Sequence, residues 1–253
     1  MSLIFDAHAH YDDEAFNSDR ETLLQNMQQN GVGKIVNAAV DIKTSEFGIE
    51  YSHKYDFMYT TIGIHPECAN KVEPDYLAKI ESLLQDSKAV AIGEIGLDYH
   101  WQDVPKETQQ KVFEDQLKLA VKLDIPVVIH DREAHADVLA MLKKYKPKGL
   151  VHCFSGSVEI CREIVKLGMS ISLGGVVTFK NARHSVEVAA DIPIDKLLLE
   201  TDAPYLSPVP FRGKRCDSSM IKYTAEKIAE IRNITTQQVI DITCANAEKL
   251  YLY

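Results

Sequence analysis

His8 and His10 stand two residues apart at the end of the short apolar run Ile4-Phe5-Asp6-Ala7-His8-Ala9-His10. Side chains alternate faces along a β-strand, so residues two apart point the same way. If this run is a strand, both imidazoles project together from its end, with Ala9 behind them. Two neutral imidazoles so placed can chelate one divalent cation. Residues of the same chemistry end other apolar runs: His65, Glu94, His130, His152 and Asp202. Buried charge is costly unless it is paired or bound to a cation. The histidines His8, His10, His130 and His152, together with the carboxylates Glu94 and Asp202, therefore predict a metal centre. Six donors exceed the needs of one tetrahedral ion. Two divalent cations, magnesium, manganese or zinc, fit better, roughly 3.5–4 Å apart and sharing a carboxylate. Glu94 is the expected bridge. One ion would take His8, His10, Glu94 and Asp202, and the other Glu94, His130 and His152, with water completing it. Such a pair clamps both oxygens of an in-line displacement and generates hydroxide near neutral pH. Asp202 is the expected base, with Glu94 as the second catalytic carboxylate.

These residues need elements to carry them. Strand-like runs are expected over 4–10, 34–40, 57–64, 89–95, 125–129, 149–151, 169–173 and 196–200. Each is followed by a segment with helical spacing of apolar residues, or by a turn signal. Ser18 and Glu21 form a capping-box pattern that opens a helix over 20–30, burying Leu23, Leu24 and Met27 and stopped by Gly31. Further helices are expected over 44–54, 75–85, 105–123, 134–145, 158–167, 182–189, 219–231 and 236–243. Strands alternating with helices, without a linker or low-complexity stretch, predict an α/β fold. It is a (β/α)8 TIM barrel with a parallel eight-stranded core, a single domain over 1–253. In such a barrel all the strand ends named above converge on the C-terminal face, where enzymes of this fold place their active sites. An open nucleotide-binding sheet would show a glycine-rich loop after its first strand, where this chain has His8-Ala9-His10.

The composition fits this reading. The chain has 253 residues, 45% of them hydrophobic and 26% charged, which is ample for a core. A formal net charge of -9 argues against a protein whose whole surface grips a duplex. Five cysteines without a CxxC pair suit a reducing compartment. No leader follows Met1 and no apolar run approaches membrane-spanning length, so a cytoplasmic monomer with no membrane contact is expected.

Across essentially the whole chain the motifs resemble the TatD-type deoxyribonuclease family of metal-dependent hydrolases. They are DAHAH (6–10), GIHP (63–66), GEIGLDY (93–99), IHDR (129–132), HCFSG (152–156), ETDAPYL (200–206), RGKR (212–215) and ANAEKL (245–250). The resemblance implies a TIM barrel and a metal-dependent deoxyribonuclease of the 3′–5′ exonuclease type, with the ligand set given above. It also implies that His65 lies near the metals without being a main ligand, either contacting phosphate or supporting the ligands from behind. One departure concerns the substrate loop. After Arg215 the family usually continues Asn-Glu-Pro or Asn-Gln-Pro, whereas this chain reads Cys216-Asp217-Ser218.

Arg212, Lys214 and Arg215, with help from Arg132, are expected to hold phosphate oxygens, which arginine forks suit. A local basic loop on an acidic protein predicts a short footprint on DNA, at single-stranded or short ends. Trp101, Tyr99 and Phe179 are candidates for stacking on unpaired bases. Two other hydrolase readings use the same barrel. An amidohydrolase would often bridge its metals with a modified lysine on the fourth strand, where this chain has Glu94. A D-aminoacyl-tRNA deacylase would hydrolyse an ester on a nucleic acid. A non-catalytic metal-binding protein would tolerate loss of a ligand or base, and none is missing.

Overall fold

The computed structural model describes residues 2–253. Eight parallel strands pair in chain order: β1 Ile4–Ala9, β2 Val32–Asn37, β3 Met58–Ile62, β4 Ala89–Asp98, β5 Val127–Arg132, β6 Gly149–Val151, β7 Ser170–Leu173 and β8 Leu197–Leu199. The last strand meets the first through one bridge, Ala9 to Ala203. Two hydrogen bonds close that seam: Asp202 N–H donates to His8 O at 3.0 Å, and His10 N–H to Ala203 O at 2.7 Å. The barrel expected from the alternation of elements is therefore the fold.

The helices α1 Arg20–Gln25, α2 Ile42–Lys54, α3 Tyr76–Leu83, α4 Lys106–Leu123, α5 His135–Tyr145, α6 Val158–Lys166, α7 Arg183–Asp191, α8 Ile221–Arg232 and α9 Thr236–Tyr251 follow the strands. Their apolar faces pack on strand residues such as Ile62, Ile92, Ile129, Val151, Ile171 and Leu197 in one continuous core. A second cluster gathers Phe5, Val36, Val90, Val128, Leu150 and Leu198 with Cys244, Ala247 and Tyr251 of α9. Among the described residues, no helix is long and apolar enough to cross a membrane.

Three expectations need correction. The capping box at Ser18 and Glu21 does not form. Asp19 is the N-cap and makes no capping hydrogen bond, because Arg215 takes both its oxygens at 2.7 and 2.6 Å. Glu21 is held by Lys54, Tyr51 and Tyr55. The helix expected over 20–30 stops at Gln25. Asn26 turns its side-chain amide back onto Thr22 O at 2.7 Å, a local bond that competes with helix propagation. Third, α9 runs two turns past 243, because Ala247 and Tyr251 bury themselves against β1 and β8.

β4 also extends beyond 95, as far as Asp98. Its Gly96 has φ 148°, and a Cβ there would lie 2.0 Å from His130 O. Only glycine lets β4 and β5 approach this closely, and that approach brings Glu94 and Asp98 to His130.

Candidate metal centre

Glu94 sits at the middle of the C-terminal face, and its carboxylate is only 3% exposed. Its two oxygens face different partners. Oε2 lies 3.3 Å from His8 Nε2 and 3.5 Å from His10 Nε2. Oε1 lies 2.7 Å from His130 Nδ1, 2.7 Å from His152 Nε2 and 3.5 Å from His65 Nε2. Asp202 joins the first group, its Oδ1 being 3.3 Å from His10 Nε2 and 3.7 Å from His8 Nε2. The structure thus brings all six expected donors together, the other five in two groups on either side of Glu94. His65 stands with the second group.

Outer contacts fix how two of the rings face the centre. His10 Nδ1 is 2.9 Å from Ala38 O. A carbonyl only accepts, so the proton sits on Nδ1 and the Nε2 lone pair points inward. His130 Nε2 is 2.9 Å from Asp98 Oδ2, which puts the proton there and leaves Nδ1 bare toward Glu94. Bare imidazole nitrogens then face carboxylate oxygens and one another, with His8 Nε2 and His10 Nε2 3.1 Å apart. Acceptor facing acceptor is repulsive unless a cation lies between them. The donor set therefore fits divalent metal binding, with the ordinary support of a carboxylate or carbonyl behind a ligating histidine.

Without a cation, protons take its place. Burial alone would lower the pKa of His10, but its hydrogen bond to Asp202 and the Glu94 and Asp202 charges raise it to about 9. Burial likewise opposes the rise of His130 to about 8, which Asp98 and Glu94 cause. Burial of Glu94 favours the neutral acid, yet the surrounding histidines hold it well below the usual carboxylate range. Asp202 is lowered in the same way, burial being outweighed by the hydrogen bond from His10. Asp202 occupies the left-handed region, φ 59°, a conformation aspartate tolerates better than most residues. Asp6 steadies that corner. It accepts from Thr201 N–H at 3.0 Å, from the Thr201 hydroxyl at 2.6 Å and from His8 N–H at 3.2 Å.

A cavity of about 780 Å³ opens over the centre. His10, His65, Glu94, His130, His152 and Asp202 line its floor, with Trp101, Arg132 and Tyr205 among its other walls. His8 is fully buried beneath it. The basic loop lies elsewhere, and none of Arg212, Lys214 and Arg215 lines the cavity. Arg215 is committed to Asp19 and to Ala15 O, and Arg212 lies over the Phe179 ring at 4.3 Å. Among the described residues, Arg132 is the one lysine or arginine on the lining, against the acids Asp12, Asp13, Glu67 and Asp131 in addition to the centre itself. Of the stacking candidates, Trp101 is on the lining and 49% exposed. Tyr99 is tied to Asp137 and Phe179 lies under Arg212.

Sequence reasoning missed Asp98, Glu200 and Tyr205. Asp98 lies four residues after Glu94 and Glu200 two before Asp202. Even spacing on a strand was the available signal for both. Tyr205, 53% exposed, is held over the mouth by its hydroxyl bond to Asp13 at 2.7 Å, a contact between distant segments that no local pattern marks.

The chain is similar to known proteins over nearly its whole length and theirs. A metal-dependent hydrolase of Bacillus subtilis, YabD, whose own activity is uncharacterized, is 43% identical over 252 residues, covering 98% of this chain and 99% of that one. The Escherichia coli metal-dependent hydrolase YjjV is 33% identical over 250 residues, covering 97% and 96%. The crystal structure of YjjV, a TatD homologue, superposes with a TM-score of 0.92 over 99% of this chain and 98% of that one, at 32% identity. A TatD-family hydrolase from Entamoeba histolytica superposes with a TM-score of 0.89 at 26% identity, covering 100% and 99%. The family model described as TatD related DNase matches residues 5–252, and the chain belongs to that family of metal-dependent hydrolases.

Proposed function

We propose that this hydrolase cleaves DNA phosphodiester bonds at short or single-stranded ends, as a 3′–5′ exonuclease, with two divalent cations at the centre. The observation that carries the reading is the split environment of Glu94, each oxygen serving a different group of histidines. His8, His10, Asp202 and Glu94 would hold one cation, and Glu94, His130 and His152 the other, with His65 beside the second. Cations there would supply Lewis acidity to the phosphoryl group and acidify water. The rest falls to the chain's own groups. Asp202 is the more open of the two carboxylates, 16% exposed against 3% for Glu94, and it is kept ionised, so it can accept a proton during attack. His65 and Arg132 face the cavity, where a phosphate oxygen would sit. Trp101 and Tyr205 offer flat faces at the mouth for unpaired bases. Arg212 and Lys214 lie outside the cavity and would meet only a longer substrate. Five free thiols suit a reducing compartment, in keeping with a monomer working in the cytosol.

A second reading has its own support. The acidic lining, with Arg132 as its one strong cation, favours a less anionic ester, such as an aminoacyl ester or an amidohydrolase-type substrate. One experiment separates the two. Metal-stripped protein is re-supplied with magnesium, manganese or zinc and assayed on single-stranded DNA, duplex DNA, RNA, a small phosphodiester and a small carboxylic ester. Metal-restored cleavage of single-stranded DNA and of the phosphodiester is expected. Turnover of the carboxylic ester alone would overturn the nuclease reading.

A further inference from the structure

His10 and His130 each have an outer partner of their own, Ala38 O and Asp98. The other two histidines of the centre do not. His8 Nδ1 and His152 Nδ1 are buried without a hydrogen-bond partner, and so is Glu200 Oε1. His8 and Glu200 are fully buried and His152 is 5% exposed. The two imidazoles stack, with centroids 3.8 Å apart and 6° between their planes. His152 Nδ1 lies 3.7 Å from Glu200 Oε1. A ring nitrogen of His8, one of His152 and a Glu200 oxygen lie within 4.8 Å of one another.

A buried carboxylate accepts hydrogen bonds and, when ionised, donates none. One Glu200 oxygen is already satisfied by the Ser172 hydroxyl. The other has two lone pairs, with His152 Nδ1 3.7 Å away and the carboxylate within 4.8 Å of a His8 ring nitrogen. Leaving all three atoms unpaired would cost each its desolvation. Satisfying them requires a proton on Nδ1 of both histidines. That same choice bares Nε2 of both rings toward Glu94, the atoms at 3.3 Å and 2.7 Å from its two oxygens.

We propose that Glu200 is a positioning residue shared by both halves of the centre, holding His8 and His152 with Nδ1 protonated, either directly or through one shared water. This rests on the reading of the centre as a metal site. Each of the four histidines then has an acceptor behind it: a carbonyl for His10, Asp98 for His130, and Glu200 for the remaining two. Because it serves one ligand from each half, its loss should disturb both halves together, whereas loss of Asp98 should disturb one.

The test uses the full chain labelled with 15N-histidine, with zinc ion as the probe. In the zinc-loaded protein, the Nδ1 protons of His8 and His152 should be downfield and protected from solvent exchange. Glu200→Gln should move both of these resonances, leave those of His10 and His130 in place, and weaken zinc binding about 10- to 100-fold, the usual effect of losing such a partner. A role confined to folding would move all four histidines, or none. Either pattern, or unchanged zinc affinity, overturns the proposal. Glu200→Asp keeps the charge and retracts it by one methylene. It should shift the same two resonances with a smaller loss of affinity, and it serves where Glu200→Gln does not fold. If zinc shifts no ring nitrogen in the unmutated protein, the metal-site reading fails. The Glu200 contact is then judged separately, by whether Glu200→Asp moves His8 and His152 selectively in metal-free protein.

Discussion

Asp98→Asn should reverse one histidine. Asp98 is 1% exposed, and its Oδ1 accepts from the backbone N–H groups of His100 at 3.0 Å and Trp101 at 3.2 Å. Asparagine can keep those two bonds only with its carbonyl oxygen in that place. Its NH2 group is then forced toward His130 Nε2, which must accept instead of donate. The imidazole proton moves to Nδ1, 2.7 Å from Glu94 Oε1, and blocks the lone pair meant for metal. Loss of such outer support costs about 10- to 100-fold in affinity, or about 1.4–2.8 kcal/mol. Burial leaves little solvent screening to soften it. Zinc affinity would be measured by competition with a chromophoric chelator at pH 8 for the wild type, Asp98→Asn, His130→Asn and the double variant. If Asp98 acts through His130, the double variant should bind like His130→Asn alone. Wild-type affinity in Asp98→Asn, or a full additional loss on the His130→Asn background, would refute the reasoning.

Metal affinity should depend steeply on pH. A protonated imidazole cannot ligate, and His10 and His130 hold protons up to about pH 9 and 8 respectively. Against the effect of burial, the Glu94 and Glu200 carboxylates also hold His152 well above the usual imidazole range, so affinity should rise by up to about three log units per pH unit below pH 8 and go on rising, less steeply, above it. Titrations at fixed ionic strength check this, and a flat profile would contradict it. Elemental analysis at saturation should approach about two ions per chain and fall to one or fewer in Glu94→Ala. A firm single ion in the wild type would sink the shared bridge. Asp202→Asn keeps shape but weakens the proton acceptor. Turnover should drop roughly 10²–10⁴-fold with the thermal midpoint of the metal-free protein little changed, and retained turnover would remove Asp202 from that role. With Arg215 committed to Asp19, few cations are left for DNA. The log–log salt slope for single-stranded oligonucleotides should be no steeper than about -1.5, at about 0.7 per phosphate. A slope near -3 would restore the basic loop as the main contact.

The donors were legible because each lies in the C-terminal half of a strand or just beyond it, and these halves converge in a barrel whatever the helices do. The central place of Glu94 was legible as well, because its strand lies between those that carry the two histidine groups. What stayed hidden was expenditure. RGKR reads as positive charge at the site, but Arg215 is paired with Asp19, a residue 196 positions away, and Arg212 leans on the Phe179 ring outside the cavity. Glu21 reads as half of a capping box, yet Lys54 and two tyrosines claim it. Asp98 and Glu200 lie within the motifs GEIGLDY and ETDAPYL, but the motifs do not reveal their role, because it lies behind the ligands, where only the fold shows which nitrogen of a ring faces outward. The long α9 escaped because small residues such as Ala247 carry its packing against β1 and β8 and leave little periodic apolar signal.

The seam of the barrel carries a temporal meaning. His8, His10 and Asp202 come from the first and last strands, and the bonds from Asp202 N–H to His8 O and from His10 N–H to Ala203 O both lock the ring and set these three residues side by side. The opposite half, on β4, β5 and β6, is assembled from consecutive neighbours. One half of the centre can therefore form while the sheet is still an open ribbon, whereas the other exists only after the chain's two ends have met across nearly its whole length. Contacts of such long sequence separation form late. A nascent or truncated chain would carry the half on β4, β5 and β6 but lack Asp202, the proposed base, so on the proposed function hydrolytic competence would arrive with the final closure. Breathing of the seam would then switch it off before the rest of the fold has loosened, and amide exchange at Asp202 and His10 would register both events as one.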